Sequence, residues 1–115
     1  MGLREEQVGG QLDEARIALE RSLRILPEQN YAASNLALTL VLQNRPAEAL
    51  AAAEQSAHEL FRAETRALAL HGLGRTAEAD RLLQDMIARW SDAGAFQIAE
   101  TYAWFSDRER ALQWL

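Results

Sequence analysis

At 115 residues the chain is one domain's worth of sequence, and a hydrophobic fraction of 49% is enough to bury a core, which argues against an intrinsically disordered chain. Its net charge is −5 and every positive residue is an arginine, because the chain has no lysine; an acidic surface without a basic stripe argues against nucleic-acid and anionic-membrane partners. Without cysteine there is no disulfide framework, thiol nucleophile or thiolate-bound zinc, and without lysine there is no phosphate-loop lysine or Schiff base. No apolar stretch approaches the roughly 18 residues of a spanning helix, and Met1 to Val8 lack the apolar core of a signal peptide, so a cytoplasmic location is expected.

The chain then reads as a succession of helices. Gly9 and Gly10 are read as the left-handed cap of a helix whose last turns would be Leu3 to Val8. Between Asp13 and Leu26, the residues Ala15, Leu19, Ser22, Leu23 and Leu26 line one face of the next helix, and Pro27, which has no N–H to donate, ends it. Asp13 and Glu14, near the expected start, suit the positive end of the helix dipole. A second periodic segment runs from about Tyr31 to Gln43, with Asn44 and Arg45 as a turn. Pro46 opens a third, at a position where a missing N–H needs no partner. The fourth, about Phe61 to Leu73, stops at Gly72 and Gly74, both read as cap glycines, and the fifth runs from about Thr76 to Trp90. After a break at Ser91, Asp92 and Gly94, a sixth spans about Ala95 to Phe105, and Ser106 with Glu109 has the spacing of a capping box for a seventh. No segment keeps the two-residue alternation of a strand.

An alanine recurs at Ala15, Ala49, Ala79 and Ala111, each five residues after a turn-type residue: Gly10, Asn44, Gly74 and Ser106. The intervals of 34, 30 and 32 residues belong to stacked helical hairpins. Twelve residues before the alanine stand Ala37, Ala67 and Ala99, and nine before it Leu40, Leu70 and Tyr102. Four residues after it come Leu19, Ala53, Leu83 and Leu115, and eight after it Leu23, Ala57 and Ile87. Small residues on both helices of a hairpin let the backbones approach while larger neighbours fill the space beside them. Ala52, on the same helix as Ala49, is expected to face outward.

This pattern resembles a tetratricopeptide repeat array. The segment Gly10 to Pro27, GQLDEARIALERSLRILP, is similar to the second helix of that repeat, and Phe96 to Leu115, FQIAETYAWFSDRERALQWL, is similar to its first helix, turn and second-helix start. The resemblance divides residues 1–115 into a partial repeat at 1–29, repeats at 30–60 and 61–92, and a partial repeat at 93–115. It implies an all-α superhelix of antiparallel hairpins, and a chain that is a fragment of a longer protein. The sequence departs from the family where a proline is favoured after the second helix, since Phe61 and Ser91 stand there, and the tryptophan often found early in the first helix is absent. The 30-residue interval also lacks four residues, about one helical turn, which is expected to shorten the link near His58 to Phe61.

Nothing in the sequence assembles a reaction centre. His58 and His71 lack ligand-spaced partners, so they read as structural histidines, and neither a catalytic group nor a cofactor nor a metal site is expected. In the resembled family the first helices of successive hairpins line a concave groove for a partner segment. Carried over by spacing, that groove consists of Tyr31, Ser34, Asn35, Leu38 and Leu42, then Phe61, Glu64, Thr65, Leu68 and His71, then Phe96, Glu100 and Trp104. Asn35 stands where many peptide-binding members keep an asparagine that bonds the partner's backbone. The places of the family's basic carboxylate clamp hold Leu38, Phe61 and Thr65, so capture of an acidic C-terminus is not expected. Tyr31, Phe61, Phe96 and Trp104 fit groove contact or hairpin packing, while Trp90 and Trp114 are expected to bury against the next hairpin. The implied function is a protein-interaction scaffold, non-enzymatic, for an apolar or amphipathic peptide or helix. The arginine and alanine usage points to a GC-rich bacterial genome, and the resemblance to arrays of multidomain regulatory proteins. Self-association through exposed end helices is the alternative.

Overall fold

The computed structural model describes residues 5–28 and 31–105, with side chains from residue 9 onward. It contains six helices: α1 (Glu5–Ile25), α2 (Ala32–Leu42), α3 (Pro46–Glu54), α4 (Glu59–Gly72), α5 (Thr76–Trp90) and α6 (Ala95–Trp104). No strand occurs among the described residues, and consecutive helices from α1 to α5 pack on one another, as do α5 and α6. The fold is all-α, and no described helix is long and apolar enough to cross a membrane.

The turns from α2 to α3 and from α4 to α5 are copies of each other, 30 residues apart. Asn44 and Gly74 both take the left-handed conformation, with φ of 58° and 80°. The amides that follow reach back over the helix end in the same way: Arg45 N–H to the Leu40 carbonyl at 2.8 Å and Arg75 N–H to Leu70 at 2.9 Å. Asn44 to Val41 and Gly74 to His71, at 3.0 Å each, complete the pattern that satisfies the last carbonyls of a helix. Arg45 then grips Glu48 through two hydrogen bonds of 3.0 and 2.6 Å, and Arg75 grips Glu78 at 2.8 and 2.7 Å. Pro46 and Thr76 open the next helices in equivalent places.

The alanine alignment describes the interior. Ala37, Ala49, Ala53, Ala67 and Ala79 are all 0% exposed, and Leu40, Leu70, Leu83, Ala99 and Tyr102 are buried beside them. One cluster joins α2, α3 and α4 through Leu36, Leu40, Val41 and Leu68 with Ala37, Ala49, Ala52, Ala53 and Ala69; the other joins α4, α5 and α6 through Leu60, Leu83, Met86, Ile98 and Tyr102. Each large apolar side chain in these clusters contributes about 1.5–3 kcal/mol by leaving water. Helix α4 touches both α2 and α6, whereas α1, α3 and α5 make no contacts with one another among the described residues. Every second helix thus belongs to one closely spaced row.

Several expectations are corrected. Gly9 and Gly10 lie inside α1, which runs unbroken from Glu5, so they cap nothing. A glycine permits a left-handed turn without imposing one. Asp13 is therefore in the body of α1, where it accepts a 2.8 Å hydrogen bond from Gln43 Nε2 instead of capping a dipole. Gly72 is the last residue of α4, and its missing Cβ leaves room for Pro46, whose Cβ a side chain there would meet at 3.0 Å. The missing turn comes out of α3, which has 9 residues against 15 in α5; the links to α4 and α6 are alike in length. Ala57 falls in that link and is exposed, unlike its repeat mates Leu23 and Ile87. Ala52 faces inward, 7% exposed, because α3 is covered by α4 as well as α2. Ser106, Glu109, Ala111, Trp114 and Leu115 lie outside the described residues.

Replacing Ala49 or Ala79 with leucine is expected to force the paired helices apart and cost roughly 1–3 kcal/mol. Ala52→Leu belongs with them, and exposed Ala51→Leu is expected to stay within about 0.5 kcal/mol of the parent in urea denaturation.

Candidate functional site

Because α2, α4 and α6 stand side by side, a cleft of about 170 Å³ forms across them. Its walls are Ser34, Asn35 and Leu38 from α2, Phe61, Glu64 and Thr65 from α4, and Gln97 and Glu100 from α6. Seven of these eight residues belong to the groove read from the sequence. Gln97 was missed there, although it stands 32 residues after Thr65 and 62 after Asn35, the register the alanine alignment itself supplies.

The hydroxyls at the cleft are already engaged. Thr65 Oγ1 donates to the Phe61 carbonyl at 2.8 Å, and Ser34 shares a buried 2.6 Å hydrogen bond with Ser56 from the α3–α4 link. Asn35 has an exposed side chain, while its carbonyl accepts from Thr39 Oγ1 at 2.8 Å. At one end Phe61 stacks on His58 with ring centroids 4.3 Å apart, and Tyr31 leans against both at 5.4 and 6.1 Å. His58 also caps α4, its Nδ1 accepting from the Phe61 N–H at 3.4 Å. The aromatic cluster is anchored on the cleft side by Phe61 and open to solvent at Tyr31, which is 53% exposed.

The unusual member is Glu64. Its residue is only 7% exposed, and its Oε2 is sealed from water with no hydrogen-bond donor directed at it. Burial, then the charge of Glu100 and the contact between the two carboxyl groups, push Glu64 up from the usual value of 4.5 to about 8. Partial burial raises Glu100 as well. Two carboxyls so placed cannot both ionise cheaply, so at neutral pH the pair holds a proton and forms an acid–carboxylate hydrogen bond.

The remaining groove residues are not gathered here. Leu68 is 3% exposed and packs in the α2–α3–α4 core. His71 stacks on Phe105 at 4.3 Å and lines a separate hollow of about 430 Å³ with Thr76, Asp80, Gln84 and Tyr102. Leu42, Phe96 and Trp104 are 47%, 61% and 39% exposed and line neither cavity, so Phe96 is not packed into a hairpin junction. Trp90 is half-buried against the α4–α5–α6 core, with the Arg89 guanidinium 4.4 Å from its ring centre; Trp114 lies outside the described residues. No three histidine, aspartate or glutamate side chains among the described residues could hold a metal ion. Comparison with protein-family models, curated proteins and solved structures finds no match.

The raised carboxyl makes a signed prediction. Folding takes up a proton at Glu64 between the unfolded value near 4.5 and the folded value of about 8, so its contribution is fully favourable on the acid side and is lost as pH rises through that window. Urea midpoints are expected to show the wild type losing up to about 1.4 kcal/mol per pH unit there relative to Glu64→Gln, whose neutral amide removes the dependence.

Proposed function

We propose that the chain is a tetratricopeptide-like repeat module whose α2–α4–α6 row receives an extended or helical segment of a partner protein. The alanine register, the duplicated turns and the inner row of alternate helices support the repeat reading. One observation carries the functional reading: seven side chains that the family resemblance assigns to a ligand groove come together around one cleft. Beside it, Tyr31 and Phe61 offer the aromatic surface that anchors peptide segments, and Phe96 and Trp104 on α6 leave further apolar area uncovered. An interaction of this kind requires no reacting group, and a bacterial regulatory scaffold in the cytoplasm is the setting we assign to it.

Random-peptide display against the protein, followed by NMR mapping of a selected peptide, tests the proposal. Leucine- or aromatic-bearing peptides are expected to shift the resonances of Asn35, Leu38, Thr65 and Gln97, and Phe61→Ala is expected to weaken binding by about tenfold or more. Shifts confined to α1, α3 and α5, or association of the protein only with itself, would contradict it.

A further inference from the structure

We infer that the cleft between α2, α4 and α6 is a socket for the guanidinium of an arginine carried on the partner segment, with Glu64 and Glu100 as its acceptors. The inference rests on the groove reading and specifies what that groove selects. It starts from a buried carboxyl whose facing group is a second acid. Glu64 is more than nine-tenths buried and lines the cleft, its Oε2 has no hydrogen-bond partner among the described residues, and the group its carboxyl meets is another acid, Glu100. A buried carboxylate is normally paired or coordinated, and leaving one unsatisfied is expensive.

No cation among the described residues serves it. On α4 itself, Arg62 Nη1 reaches the Ser56 carbonyl at 3.4 Å, and Arg66 pairs with Glu54 at 3.2 Å. Helix α2 presents Ser34 and Asn35, both neutral, and α6 presents neutral Gln97 beside Glu100. The charge that acts on Glu64 is Glu100's, and it repels.

The chemistry of the walls selects the missing partner. Two carboxyl groups from different helices, with amide carbonyls at Asn35 and Gln97, make a set of acceptors spread around one small cavity. A guanidinium has five N–H donors in one plane, sheds water more readily than an ammonium, and can lie against an aromatic ring such as Phe61 while Leu38 covers its aliphatic stem. Binding replaces the shared proton with a cation: the proton leaves to solvent, both carboxylates ionise, and the positive charge sits between them. Recognition is therefore tied to pH, weakening as acid returns the proton to the pair.

N-acetyl-arginine amide and its neutral isostere N-acetyl-citrulline amide are titrated against the full chain, with the Leu38 methyl and Glu64 carboxyl 13C resonances as readout. The arginine probe is expected to give saturable shifts at about pH 9 and none from citrulline. Its affinity should fall by up to about tenfold per pH unit below the pair's value of about 8, as proton linkage requires. Glu64→Gln and, as a second variant on the more exposed carboxyl, Glu100→Gln should each weaken the probe at least tenfold at high pH. Equal shifts from citrulline, equal affinity for N-acetyl-lysine amide, undiminished binding by Glu64→Gln, or no cleft shift at all would overturn the guanidinium socket. If a selected peptide still maps to the cleft when the arginine probe fails, the socket falls and the groove stands; if the peptide fails too, both fall.

Discussion

Burial of alanines on paired helices is the constraint on which this structure depends. Ala37, Ala49 and Ala53, and Ala67 and Ala79, are wholly removed from solvent on helices joined by three-residue turns. A methyl is the smallest side chain that still excludes water, and interhelical separation follows the size of the residues at the crossing. The larger side chains one turn away, Leu40, Leu70 and Leu83, then have a fixed distance to fill. The same spacing sets α2, α4 and α6 beside one another, because α4 is held by α3 and α5 on one side and by its neighbours in the row on the other. The cleft and its acidic pair are consequences of that row.

Much of this was legible in the sequence because repetition supplies its own controls. A single small residue on a helix says little, but Ala37 and Ala67, or Asn44 and Gly74, at one interval fix both a contact and a turn. Helices α2 and α4 to α6 accordingly begin and end within two residues of where periodicity and the turn residues placed them, and α3 begins at Pro46 as expected. The reading failed where equivalent positions in the register take different conformations or different cover. Gly10 matched Gly74 in position and not in conformation, since the helix bonds around it outweigh the freedom a glycine offers. Ala52 was misplaced because α3 is covered by two helices, a fact about tertiary packing that one helix's periodicity does not contain.

The cleft was legible as a set of positions and not as chemistry. Spacing brought Asn35, Thr65 and Glu100 to one face, but it gave no measure of how deeply Glu64 would be buried or that Glu100 would meet it. Register alone makes Glu64 the counterpart of Ser34 and Phe96, of which one is buried and the other exposed. Each copy thus uses the same place differently. Ser34 finds its partner in Ser56, Phe96 meets solvent, and Glu64 faces a like charge. A local arrangement that works against stability inside an otherwise consistent scaffold is where binding is most reasonably sought.

The account stands or falls on the meeting of α4 and α6 at those two carboxyl groups. Direct 13C observation of the Glu64 and Glu100 side-chain carboxyl carbons, from about pH 3 to pH 10, reads it without any ligand or partner. The structure predicts coupled titration, with a proton retained through neutrality and released from Glu64 near 8, and with Glu100 still raised by its own burial in Glu64→Gln. Two independent titrations near the usual glutamate value would contradict it, because the helices would then not be held as the buried alanines hold them here.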